Sequence, residues 1–420
     1  MTDQWGERLA RRLTLWSAIA VVTGSTIGSG IFRTPASVAQ LIGDAPLFLL
    51  AWIIGGVLAL CGALTYGELA AAFPRSGGIY VYIRESFGEI PAFLFGWAEV
   101  WIIRPGAFGA IGITAAAYTL RTLGYDPAAP VGPLRAEQAV GALYIIIVAL
   151  VNYYGIHRGA VLQNISTALK VAALAALVLL GLTLGNSAHQ STANVLSQHA
   201  AVGISPFLLA LVSILWAYDG WADLSFVGGE VKDPQRILPR ALLLGTGLVV
   251  VLYLAANLAY VILIPMKLMQ SAELVAADVA SLLFGSIGVI LISAVIAIST
   301  FGTLNGAMMT APRIFFAMAE DDLFPKVIAR VDPVSQAPTN AILMTAGMGV
   351  IFISIRTFTD LANQFIIGIW PFYALAVLAV FILRKKKPSM ERPYRVWGYP
   401  FVPALFLLGS LFLLGNYLIT

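Results

Sequence analysis

Residues 23–32 read TGSTIGSGIF, three glycines and four hydroxyl side chains inside an otherwise apolar run. Each glycine weakens a helix by about 1 kcal/mol relative to alanine, and each hydroxyl needs a partner once buried. Such a stretch is a packing face, an anion loop or a deliberate interruption. The surrounding chain has to decide which.

That chain is 59% hydrophobic and only 11% charged, with a mean hydropathy of +0.87, whereas about a quarter of a soluble domain is charged. Apolar windows of about 20 residues, enough to cross a bilayer, recur along it. They lie near 14–40, 44–72, 90–122, 137–155, 159–184, 203–228, 238–264, 279–318, 339–355, 360–383 and 399–420. An all-α multi-pass membrane protein follows, since one signal peptide cannot account for eleven windows.

The basic residues flanking these windows divide unevenly. Those at 8–12, 75, 84, 158, 232–240, 313, 326–330 and 384–395 fall on one side, and only Arg121, Arg135, Lys267 and Arg356 on the other. The positive-inside rule then predicts a cytoplasmic amino terminus, and such a multi-pass protein is expected in the cell's inner (plasma) membrane. The net charge of +4 thus reports topology and not a nucleic-acid surface. Cys61, the single cysteine, lies within the second window, which excludes an intramolecular disulfide. His157, His189 and His199 have no metal-ligand spacing, and no cofactor is expected.

The third and eighth windows are unusually long, and each is third in a set of five. Starts in the second set follow those in the first by 189, 194, 189, 202 and 201 residues. Five is odd, so the second set enters the membrane from the opposite side, and 14–184 and 203–383 form an inverted-topology repeat with 399–420 as an additional helix. Carriers of that design place substrate where the first helix of each repeat is broken. About 12 residues into the first window comes TIGSGIF, and about 13 into the sixth comes WAYDGWAD, 216–223. Gly28, Ser29 and Gly30 let the backbone leave helical geometry, so freed amides can meet an anion and freed carbonyls a cation. A zwitterion fits both ends.

Plainer readings stand beside this one. Gly24 and Gly28 form a GxxxG, a common packing face of membrane helices, but that leaves Gly30, Ser25, Thr26 and Ser29 unexplained. A phosphate loop lacks the following Gly-Lys-Ser/Thr and the third glycine of GxGxxG. Asp219 and Asp223 share a face if the sixth helix is intact; Asp219 either faces a substrate cavity or is a structural acid bonded to freed amides, and Asp223, nearer the cytoplasmic end, reads as gating or structural. Lys170 sits too deep in the fifth window to reach an interface, with Gln163, Ser166 and Thr167 on its face. It is either a fixed cation or a packed neutral amine. Glu68, Glu230, Arg104 and Asn305 read as ties between helices. Trp216 adjoins the second break and is placed to close over substrate, while the other tryptophans read as interface belt or core.

The stretches GSTIGSGIFRTPASVA, TYGELAAAFPRSGGIYVYIRESFG, LQNISTALKVAAL, LWAYDGWADLSFVGGEVKDPQRILPRAL and FGTLNGAMMTAPRIFFAMAEDDLFPK together resemble the amino acid-polyamine-organocation superfamily, closest to bacterial relatives of the L-type amino acid transporter light subunits. The resemblance implies a LeuT-type fold of twelve helices and sodium-independent movement of amino acids, often by exchange. It implies a carboxylate site at Ser29 and Gly30 with Ser25, Thr26 and Gly28 beside them. It implies an amine site on carbonyls around Thr26 and Ile27, and around Trp216, Ala217, Asp219 and Gly220. Trp216 and Tyr218 match an aromatic gate, and Lys170 a lysine that stands in for a sodium ion.

Departures from the pattern also carry expectations. Ile79 stands where many members have an acid, and Asp219 where neutral carriers have a small residue, so neutral and cationic substrates both remain open. Cys61 cannot make an extracellular bridge, so no heavy-subunit partner is expected. Only eleven windows are present, which suggests a trimmed carboxyl end. The expected activity is amino acid exchange by alternating access, or proton-coupled symport on the same fold. A channel has no need of paired breaks, and an enzyme needs a nucleophile-base or metal constellation that this chain lacks.

Overall fold

The computed structural model describes residues 9–184, 203–272 and 274–419; His189 and His199 lie outside them. Helix α1 spans Leu15–Thr26, and Thr14 caps it, its Oγ1 accepting the amide of Ser17. The chain leaves helical geometry at Ile27 (ψ 86°) and resumes as α2, Gly30–Ile42. Asp44 caps α3, Ala45–Ala72, and α4, Ile79–Phe87, follows.

Next come α5, Glu89–Ala98, a π-helical turn, Glu99–Ile103, and α6, Arg104–Thr122. The turn has a local cause. Pro105 has no amide to offer the carbonyl four residues back, and Gln364 Nε2 bonds the freed Trp101 carbonyl at 3.0 Å instead.

Two further helices, α7, Ala136–Tyr153, and α8, Ile156–Leu184, complete this half. In the second half, α9, Ile204–Ala217, gives way to a left-handed Gly220 (φ +115°) and the 3-10 turns Trp221–Phe226 and Gly228–Glu230. There follow α10, Pro234–Leu263, α11, Met266–Ser271, and α12, Val275–Phe284. The chain then forms α13, Ser286–Thr310, α14, Pro312–Glu320, α15, Thr339–Ile355, α16, Phe358–Lys386, and α17, Phe401–Ile419.

One boundary differs from the sequence expectation. The window at 279–318 is not one span, because Gly285 takes φ +62° and ψ −146° and ends α12, a positive-φ conformation that glycine adopts without steric cost. Membrane-length helix therefore begins at Ser286 and runs to Glu320.

Among the described residues, eight helices or joined helix pairs are long and apolar enough to cross a membrane. Exposed Ile53, Val57, Leu150, Val251, Leu258 and Ile290 form part of an apolar outer surface suited to lipid tails. The broken helices occupy the centre: α1 packs against α8, α10 and α13, and α2 against α9. One face of the molecule gathers the amino-terminal segment and the turns around Glu230. There the Leu13 and Lys232 backbones pair, with Lys232 N donating to Leu13 O at 2.9 Å. Beneath them Arg313 grips Glu230 through two bonds of 2.7 and 3.2 Å.

Candidate functional site

A helix broken in hydrocarbon must find partners for every freed backbone group, each of which otherwise costs several kcal/mol. At the first break most carbonyls find them within the protein. Gly24 O accepts from Lys170 Nζ (2.9 Å) and Thr303 Oγ1 (3.1 Å). Ile27 O accepts from Lys170 Nζ (2.8 Å) and Ser299 Oγ (2.9 Å). Thr26 O accepts from Tyr253 Oη (3.1 Å) and the Gly28 amide.

The groups left over matter most. Among the described residues no acceptor takes the amides of Ser29, Gly30 or Ile31, and no donor reaches Ser25 O. Three consecutive free N–H groups at the start of a helix make an anion site.

The second break is built against the first. A Cβ on Gly220 would come within 2.7 Å of the Ser25 backbone, and one on Gly30 within 3.0 Å of Ala217 Cα. Only glycine permits the first approach, at a φ that other residues avoid, whereas a side chain at position 30 would need Ala217 to give way by a few tenths of an ångström. Asp219 and Asp223 follow the end of α9, and Ala217 O accepts nothing among the described residues. Tyr373 Oη donates to Asp219 Oδ1 at 2.7 Å, while Arg104 Nη2 reaches Asp223 Oδ1 at 3.5 Å.

Between the breaks lies a cavity of about 100 Å³, room for several waters or one small zwitterion. Its wall includes Ser25, Thr26, Gly28, Ser29, Gly30, Trp216, Ala217, Asp219 and Gly220, and it extends past Ala110 and Thr114 to Ala362 and Phe358 in the first turns of α16. It thus runs from the breaks toward the face opposite the amino-terminal one.

Two residues expected at the site turn away from it. Ile27 is fully buried and presents only its occupied carbonyl. Tyr218 is buried edge-on against Trp52, ring centroids 5.8 Å apart, and does not line the cavity. A tyrosine two residues past Trp216 on a helix end points about 200° round the axis from it, so of the two positions expected to form an aromatic gate only Trp216 lines the cavity. The carbonyls expected to hold an amine divide into engaged and free ones. Those of Thr26 and Ile27 are already engaged, and those of Ser25 and Ala217 are free.

Lys170 is 1% exposed and lies behind the first break, its ammonium also donating to Ser299 O at 2.7 Å. Four oxygens within 3.2 Å suit the three donors of an ammonium ion. Gln163 and Thr167 bond the Ala20 carbonyl from the same face of α8. The inter-helix ties expected at Glu68, Glu230, Arg104 and Asn305 are all present. Arg384 holds Glu68 by two bonds, and Asn305 bonds Asn152, Gln163 and the Gly159 carbonyl. Sequence reasoning missed Tyr253, Ser299, Thr303 and Tyr373. Their only local signal is a hydroxyl in an apolar helix, which Thr65 and Thr345 share while merely bonding their own helices.

Two discontinuous helices whose breaks touch at the centre of a membrane bundle, with free amides and carbonyls facing one cavity, define a LeuT-type secondary transporter. The comparisons identify which group. The family model for amino acid permeases matches residues 13–419, and the chain belongs to that family, within the amino acid-polyamine-organocation superfamily. It is 35% identical over 415 residues to the serine/threonine exchanger SteT of Bacillus subtilis, covering 98% of this chain and 92% of that one. It is 31% identical over 410 residues to the human b(0,+)-type amino acid transporter 1 (96% and 82%). To the mouse large neutral amino acids transporter small subunit 2 it is 32% identical over 416 residues (97% and 76%). The protein is an amino acid transporter of the membrane, not an enzyme.

Proposed function

We propose that this carrier exchanges amino acids by alternating access without sodium. The observation that carries the reading is Lys170, whose ammonium already occupies the carbonyls freed by the first break, where a coupling cation would bind. In this reading the substrate carboxylate meets the amides of Ser29, Gly30 and Ile31, and its ammonium the carbonyls of Ser25 and Ala217. Trp216 borders the bound zwitterion, and Asp219 faces its side chain.

Residues 14–184 and 203–383 act as inverted repeats, with 399–420 added. The amino terminus is cytoplasmic in the plasma membrane, as the basic side of the chain supports, so the cavity faces outward. Cys61 is buried within α3, which supports action without a disulfide-linked heavy subunit.

Counterflow tests this reading. Proteoliposomes preloaded with unlabelled serine, threonine or arginine should take up the labelled amino acid, empty ones should not, and sodium should not matter. Uptake into empty liposomes driven by a proton gradient would establish symport instead.

A further inference from the structure

Among the described residues Arg104 is the one cation in the cavity wall, and its contacts are unequal. Its Nε bonds Glu99 Oε2 at 2.7 Å, within its own helix and across the π-helical turn. Its Nη2 reaches Asp223 Oδ1 at 3.5 Å, on the 3-10 turn that follows the second break. The guanidinium also lies over the ring of Phe226, 5.0 Å from its centroid and on that same turn. Asp223 and Arg104 both line the main cavity. Arg104 lines a second, water-sized cavity as well, with Phe315, Met344, Thr345 and Met348 of α14 and α15. Arg104 thus borders both spaces, and Asp223 meets it from the turn that follows the second break.

From this geometry we propose that Arg104 and Asp223 form a releasable clasp at the base of the substrate cavity, closed in the state seen here and opened when the carrier turns toward its amino-terminal face. Neither residue acts on substrate in this proposal; both position the helices that hold it. A guanidinium left without a carboxylate in a buried site is costly, which would ordinarily make such a pair permanent. Glu99 removes that obstacle. It binds Arg104 more closely than Asp223 does and belongs to the same continuous helix, so the arginine keeps a counter-ion when the second break moves away. Asp223, 13% exposed against 0% for Glu99, reaches water in the cavity as it leaves. The long contact is the one that breaks, and the short one makes breaking affordable.

The two carboxylates then have opposite predicted effects, which a merely structural pair would not show. The clasp rests on the alternating-access reading, but it can be tested without substrate, so its failure is separate from a failure of counterflow. On a Cys61→Ala background, Ser225→Cys reports from the amino-terminal half beneath the clasp, and Ala362→Cys from the cavity wall. Both are read by reaction with a membrane-impermeant maleimide applied to one face at a time. Asp223→Asn should raise labelling at position 225 from the amino-terminal face several-fold and lower it at position 362. Glu99→Gln, which leaves Arg104 dependent on Asp223, should do the reverse, and Asp223→Glu should restore the native pattern. If Asp223→Asn does not yield monodisperse protein, Arg104→Lys, which keeps the charge and loses the second arm, should shift labelling in the same direction. Labelling that moves the same way in the Asp223 and Glu99 variants, or in neither, overturns the clasp.

Discussion

The two helix breaks face each other across one cavity but are held open by different means. At the first, carbonyls that lost their helical donors are taken over by side chains from α8, α10 and α13: Lys170, Tyr253, Ser299 and Thr303. At the second, the backbone is turned by a left-handed glycine into 3-10 structure that keeps its own bonds, such as Asp223 N to Gly220 O and Val227 N to Leu224 O. One break is satisfied by its neighbours and the other by its own local geometry. The first should therefore be sensitive to distant side chains, and the second to its glycine.

The largest effect belongs to Gly220. Gly220→Ala places a side chain at φ +115°, and its Cβ meets the Ser25 backbone within 2.7 Å, where no flexible group can yield. Strain and overpacking each cost on the order of 1–3 kcal/mol. Thermal unfolding in detergent should show a drop of several degrees or loss of monodisperse protein, with exchange abolished. Native stability in this variant would mean that the second break is not set by its glycine.

Lys170→Ala comes next and probes the first break from a distance. It removes the ammonium that ties the Gly24, Ile27 and Ser299 carbonyls together, leaving the single Thr303 hydroxyl within 3.2 Å of all three, and each buried acceptor left short costs about 1–3 kcal/mol. Exchange measured at matched protein density should fall to near background while the protein remains in the membrane. A variant that exchanges at the native rate would take Lys170 out of the mechanism.

Gly30→Leu tests the surface where the breaks meet. The new side chain starts 3.0 Å from Ala217 Cα and fills the cradle of free amides. Expression should be normal while counterflow and substrate-induced thermal stabilisation both disappear. Retention of either would remove the carboxylate from this site.

How far the sequence reached is visible in the same contrast. The breaks were legible because glycine and hydroxyl residues interrupt windows that are otherwise uniformly apolar, and Lys170 because a cation in such a window needs a reason. The directions of Ile27 and Tyr218 were not. A membrane helix apolar on all sides carries no periodic signal to say which face meets protein and which meets lipid. Nor could spacing reveal that Tyr373 reaches Asp219 across 154 positions, or Ser299 the Ile27 carbonyl across 272. Gly285 was missed for the converse reason: one glycine among apolar residues reads as packing unless its φ is known.

The smallest effect separates the two glycines that form the GxxxG of the opening stretch. A Cβ on Gly24 would fall 2.2 Å from both Gln163 Nε2 and Thr167 Oγ1, so that glycine does seat α1 against α8. A Cβ on Gly28 meets only Thr303, at 3.5 Å, an ordinary contact, and Gly28 lines the cavity. Gly24→Ala should therefore destabilise the protein by about 1–3 kcal/mol through overpacking, whereas Gly28→Ala should change stability by no more than about 0.5 kcal/mol. The Gly28 substitution should instead raise the substrate concentration needed for half-maximal exchange, because its methyl group takes volume from the cavity. Equal destabilisation by both would make the motif a packing face throughout; a split between stability for Gly24 and apparent affinity for Gly28 assigns packing to one glycine and the substrate cavity to the other.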